Sequence, residues 1–160
     1  MQRSHHLPSL KTVNCNCRKK PECRLDGECQ RSSVIYKCEV TAPEIPKKVY
    51  IGLTEKSFKT RFNSHKQSLN NKKYMNSTSL SSYVWDLKEN RSITPLLKWS
   101  IIEQVKSYKN GSRNCPLCLQ EKYEILFYPN KSELLNKRSE LIAKCRHSNK
   151  FLLANYKSKD

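Results

Sequence analysis

The sequence predicts an α+β fold, a three-stranded antiparallel sheet flanked by helices, with a small zinc-clamped arm at the N-terminal side. Three observations predict it. Two strand-forming runs, VIYKCEV (34–40) and KVYIGLT (48–54), are separated only by a short Pro-containing turn, which reads as a hairpin. Apolar residues then recur at steps of three and four over 57–69 and 80–90, before alternation returns in PLLKWSII (95–102). Four cysteines crowd a stretch, residues 1–33, that has almost no apolar periodicity.

Taken in order, residues 1–32 form a Cys-rich arm that needs a clamp to hold a shape, and zinc is the simplest one. The hairpin follows, its turn read over TAPEIPKK (41–48). Ser57 is an N-cap for a helix to about Leu69, with Phe58, Phe62, His65 and Leu69 on one side. After the polar loop NNKKYMNSTS, Leu80, Tyr83, Val84 and Leu87 mark a second helix that ends near Asn90. Leu97, Trp99 and Ile101 alternate with Lys98 and Ser100, giving the third strand. Beyond the loop SYKNGSRN, Pro116 sits in the first turn of a helix whose buried face is expected to be Leu119, Tyr123, Leu126 and Phe127. One or two last helices are expected over 131–146, closing a domain at 33–147, with a loosely held basic tail at 148–160.

A chain of 160 residues fits one domain, which buries roughly 70% of its unfolded surface. The balance of 31 Lys plus Arg against 14 Asp plus Glu gives +17, which calls for a polyanion such as nucleic acid. A membrane partner lacks support, since no apolar run approaches the roughly 20 residues needed to span a bilayer. The start MQRSHHLPSLKTVN has no signal-peptide core, which places the chain in a reducing cytosolic or nuclear space.

In such a space clustered cysteines point to zinc rather than disulfides. Cys15, Cys17, Cys23 and Cys29 make one four-thiol set. Cys115-x2-Cys118 has knuckle spacing, and Cys145-x-His147 is its natural completion, a closed structural site stapling a helix start to the chain's end. The plain alternative is reduced thiols packed as small apolar groups, which is the reading for Cys38 on the first strand.

One constellation carries chemistry. VIY (34–36) and YIG (50–52) lie on neighbouring strands, Arg61 and His65 stand one turn apart on the next helix, Glu121 lies on a later helix, and Asn136 follows in LNKRSEL. Singly, these are ordinary strand aromatics, solvated charges or a cap; their linked spacing is what points to function. Over roughly 33–138 the pattern resembles the GIY-YIG endonuclease domain, and the flanking cysteines and CPLC make it similar to the endonuclease of Penelope-like retroelements. Val34 stands where that family has its first glycine, and the 14 residues from Tyr36 to Tyr50 make a longer hairpin than usual.

The resemblance implies metal-assisted hydrolysis of DNA phosphodiester bonds in the nucleus, beside a reverse transcriptase module of the same polyprotein. It implies Tyr36 as a candidate general base, Tyr50 as a group orienting water or phosphate, and Arg61 as the contact to the scissile phosphate. His65 would be an accessory group, Glu121 the protein ligand of Mg2+ or Mn2+, and Asn136 the residue that closes the domain. The chemistry is consistent with those roles: a guanidinium grips phosphate in a bidentate fork, and a carboxylate-held divalent ion activates water and offsets phosphoryl charge. Tyrosine, with a pKa of about 10, needs a nearby cation to act as a base, and Lys48 or Lys56 is placed to supply one. Arg18, Lys19, Lys20, Lys47, Lys48, Lys66, Lys72 and Lys73 are candidates for phosphate contacts. The alternative is a zinc-stapled nucleic-acid-binding module without chemistry.

Overall fold

The computed structural model describes residues 15–106, 115–143 and 145. Strand β1 (Ser32–Ala42) pairs antiparallel with β2 (Ile45–Ser57) on one side and with β3 (Leu96–Gln104) on the other, giving the order β2-β1-β3. The helices are α1 (Phe58–Asn70), α2 (Ser79–Asn90), α3 (Pro116–Leu126) and the short α4 (Arg138–Ile142). The predicted α+β class, a three-stranded antiparallel sheet with flanking helices, is what the chain adopts. No helix of the described residues is long and apolar enough to cross a membrane.

Central strand β1 is covered on both faces, and the strand period sorts its side chains. Val34, Tyr36, Cys38 and Val40 join Phe58 and Leu69 of α1, Leu80, Val84 and Leu87 of α2, and Trp99 of β3 in one core. Ile35 points the other way and meets Val49, Ile51, Leu117 and Ile125 beneath α3. Each such buried aliphatic or aromatic side chain contributes roughly 1.5–3 kcal/mol. Cys38 is fully buried, as expected of a core thiol, and burial pushes its pKa up.

The helices start where their caps say. Ser57 Oγ accepts from the Thr60 amide at 3.2 Å, and Thr78 forms a reciprocal capping box with Ser81 on α2. Pro116 opens α3 behind Cys115, whose Sγ accepts from the Cys118 amide at 3.5 Å.

Three expectations need correction. The hairpin turn is confined to Pro43 and Glu44, because Ala42 and Ile45 still pair and the strands run on into the expected loop. Of the one or two helices expected over 131–146, the described residues form the short α4, preceded by a 3-10 turn (Lys131–Glu133) and an extended stretch. That stretch is recruited by the open edge of β2: Leu134 bridges Val49 in parallel, and the Leu135 amide donates to the Val49 carbonyl at 2.8 Å. On α3 the expected buried face is inverted, since Leu119, Tyr123, Leu126 and Phe127 are all more than half exposed while Leu117 and Ile125 are buried. Lys48 is drawn away from the tyrosines, its Nζ donating to the Ser132 carbonyl at 2.6 Å.

Candidate active site

Arg61 leaves the first turns of α1 and Glu121 the second turn of α3, so two helices on opposite faces of the sheet aim charged groups past the edge strand β2. There Tyr50, Arg61 and Glu121 line one cavity of about 640 Å³. Lys56 and Thr54 of β2, Ser64 of α1 and Lys122 of α3 also face it. Glu140 of α4 completes the wall and escaped the sequence reading; its place four residues after Asn136 in LNKRSEL is the signal that could have found it.

Tyr36 is not part of the cavity wall. It is fully buried, with its hydroxyl 2.6 Å from His65 Nε2 and accepting from Arg61 Nε at 2.9 Å. Gly52, directly across the β1–β2 ladder, makes room for it: a Cβ there would lie 2.4 Å from the Tyr36 hydroxyl and 2.6 Å from its ring carbon. The sequence singled out Gly52 by pattern, and the structure supplies the steric reason. His65 is also buried, packed edge-on to both tyrosine rings.

The electrostatics follow from burial. Burial pushes the Tyr36 phenol up to about 12, only partly opposed by Arg61, and raises Tyr50 as well, with Tyr36 adding to the effect. Burial, then the Arg61 charge, holds His65 down at about 3, so its ring is neutral. Burial opposes the Arg61 charge, yet the two phenols facing it outweigh this and stabilise the guanidinium. Glu121 is lifted to about 7, by burial first and the nearby Glu140 second, against Arg61 and Lys122. Among the described residues Glu121 is in no ion pair, and it opens on the cavity beside Glu140, carboxylate oxygens of the kind a hard divalent cation takes.

Asn136 belongs to the scaffold of this cavity. Its Oδ1 accepts from the Ile51 amide at 2.8 Å and its Nδ2 donates to the Ile51 carbonyl at 2.7 Å, so one side chain satisfies both edge groups of the residue after Tyr50. It also lies near Glu140, whose carboxyl is pushed up by burial and held down in part by the Asn136 side chain.

Two cysteine clusters stand behind the helices. The Sγ atoms of Cys15, Cys17, Cys23 and Cys29 lie within 4.8 Å of one another, as do those of Cys115, Cys118 and Cys145, and both sets could hold zinc. Cys17 and Cys29 sulfurs are 3.9 Å apart, close to the ~3.8 Å edge of a tetrahedron with zinc–sulfur bonds of about 2.3 Å and far from a disulfide. Burial pushes the Cys29 thiol up, but hydrogen bonds led by the Asn16 backbone bring it to about 7, which eases the loss of its proton to a metal. The proposed fourth ligand of the second set, His147, lies outside the described residues.

Each cluster sits at the start of a helix that carries a cavity residue. The Arg31 and Cys29 carbonyls accept from the Phe58 and Lys59 amides, both at 2.7 Å, so the arm satisfies donors that the first turn of α1 leaves open. Cys115 caps α3, and Cys145 brings the chain after α4 back to that same end. Several candidate phosphate contacts are otherwise engaged: Lys19 with Glu22, Lys47 with Glu133, and Lys72 with Glu89.

The chain matches no protein-family model, no curated protein and no solved structure.

Proposed function

We propose that this chain is a metal-dependent DNA endonuclease domain of the GIY-YIG type, nicking or cutting target DNA for retroelement insertion as a module beside a reverse transcriptase. The observation that carries this reading is the meeting of Tyr50, Arg61 and Glu121, from β2, α1 and α3, on one cavity in a chain of net charge +17. A phosphodiester in that cavity would be held by Arg61, whose fork is oriented by the Tyr36 hydroxyl behind it. Glu121 would hold Mg2+ or Mn2+, with Glu140 on the same wall; such an ion, when bound, activates water and offsets phosphoryl charge. Tyr50 is the phenol that faces the cavity, so orienting water or phosphate falls to it, and Lys56, not Lys48, is the neighbouring lysine. Buried Tyr36 and neutral His65 serve to position Arg61 in this reading. Zinc in the two cysteine sets would be structural, because closed sites leave no position for substrate.

The test is nicking of supercoiled plasmid by zinc-loaded protein in Mg2+ or Mn2+. Wild type is expected to convert it to open circles, while Glu121→Ala and Arg61→Ala fall by about 100-fold or more. Equal nicking by all three would reject the site. Plasmid binding with no nicking by any of them would favour the zinc-stapled binding module.

A further inference from the structure

A second concavity, of about 550 Å³, opens between α1, α2 and the start of β3. Its floor is apolar, with Phe62, Leu69, Val84 and Trp99, and the Phe62 and Trp99 rings meet edge to face at 5.5 Å. Its rim is cationic, with Arg24 from the arm, Lys66 from α1 and Lys88 from α2, while Lys98 of edge strand β3 alternates to the other face of the sheet, opposite Glu39. No carboxylate lines it. Lys88 is turned inward, donating to the Leu69 carbonyl at 3.3 Å. Arg24 and Lys66 are exposed, and among the described residues neither is in an ion pair.

Cations around an apolar floor whose own lining holds no carboxylate make a site for a chain that is anionic along its backbone and flat and apolar in its side groups. Single-stranded nucleic acid has that pattern, whereas a duplex keeps its base faces stacked inward. The groove also shares a helix with the cavity: on α1, Arg61 and Ser64 face the cavity while Phe62 and Lys66 face the groove. We infer that this groove binds a single-stranded segment of nucleic acid, its phosphates on Arg24 and Lys66 and its bases against the Phe62 side of the floor. Only the link to cutting rests on the nuclease reading above. With that link, the favoured substrate is DNA with a displaced or branched strand, which crosses α1 from cavity to groove.

The binding is measured apart from cleavage, by fluorescence anisotropy of fluorescein-labelled oligo(dT) with zinc-loaded full chain and no Mg2+ or Mn2+. Arg24→Ala/Lys66→Ala is expected to weaken binding about tenfold and to lower the salt slope by about 1.4, two contacts at about 0.7 each. The control Arg91→Ala/Lys106→Ala, off both the cavity and the groove, is expected to change affinity less than about twofold. Equal losses in the two pairs would overturn the groove and leave only diffuse charge. Displacement of oligo(dT) by poly-glutamate at equal charge would also overturn it, in favour of an acidic polypeptide. The expected pattern in a protein that does not nick plasmid would support the groove and sink the nuclease reading alone.

Discussion

The Tyr36 hydroxyl and His65 Nε2 lie 2.6 Å apart in the protein interior and share one hydrogen bond. Arg61 Nε, which can only donate, already occupies an acceptor position of the Tyr36 oxygen at 2.9 Å. The oxygen keeps a second lone pair and its own proton, so the His65 tautomer decides which of the two groups donates to the other. This chain of three ties the guanidinium at the cavity to a buried anchor on β1.

Removing the shared oxygen strands both partners. Tyr36→Phe is expected to lower stability by about 1–3 kcal/mol in urea unfolding, since Arg61 Nε and the buried His65 Nε2 lose their partner together. An unchanged midpoint and slope would show that the hydroxyl does not join them.

At Gly52 the expected defect is steric. Gly52→Ala places a Cβ against the Tyr36 hydroxyl and ring, and since the ring is walled in on every side, the strands must shift. A loss of about 1–3 kcal/mol is expected. Gly52→Ala combined with Tyr36→Ala should cost less than the sum of the two single changes; full additivity would argue against the contact.

Two titrations give stability opposite slopes with pH. His65 falls from 6.5 to about 3 on folding, so the unfolded chain takes a proton that the folded one refuses. That stability is full above about 6.5 and is lost as pH falls toward 3. Glu121 rises from 4.5 to about 7, so its contribution is full below about 4.5 and is lost as pH rises through 7. Melting temperatures from pH 4 to 8 are expected to show a flattened neutral limb in Glu121→Gln, and Mg2+ should raise the wild-type melting point most at the upper end. A Mg2+ effect that Glu121→Gln leaves intact would remove Glu121 as the ligand.

Metal at the arm should be felt in α1. Stripping zinc with a chelator, or Cys29→Ser, is expected to speed hydrogen exchange at the Phe58 and Lys59 amides, whose acceptors are the Arg31 and Cys29 carbonyls. Cys118→Ser should act instead at the start of α3 and leave those two amides protected. Uniform loss of protection in both variants would mean that the clusters do not work locally.

Much of the fold was legible because its signals are local. The period-2 runs around Tyr36 and Tyr50, the three-and-four spacing of Phe58, Phe62, His65 and Leu69, the cap at Ser57 and the proline in the first turn of α3 each depend on neighbours in sequence. The cysteine groups at 15–29 and 115–145 were legible for a similar reason, since ligand spacing is short-range. Helix α3 was misread because it carries two apolar stripes, Leu117 with Ile125 and Leu119 with Tyr123, Leu126 and Phe127. Periodicity gives a helix its faces but not its rotation.

By itself the sequence determined the strand and helix order, the charge, and the residue types able to bind metal and phosphate. Only the tertiary structure decided that Tyr36 turns inward while Tyr50 faces the cavity, that Glu140 joins Glu121, and that Asn136 pairs with the edge of β2. The physical reason is that these depend on which surfaces the packed core brings into contact across large sequence separations. A local pattern records what each segment can bury, and the way the segments stack decides what each one meets.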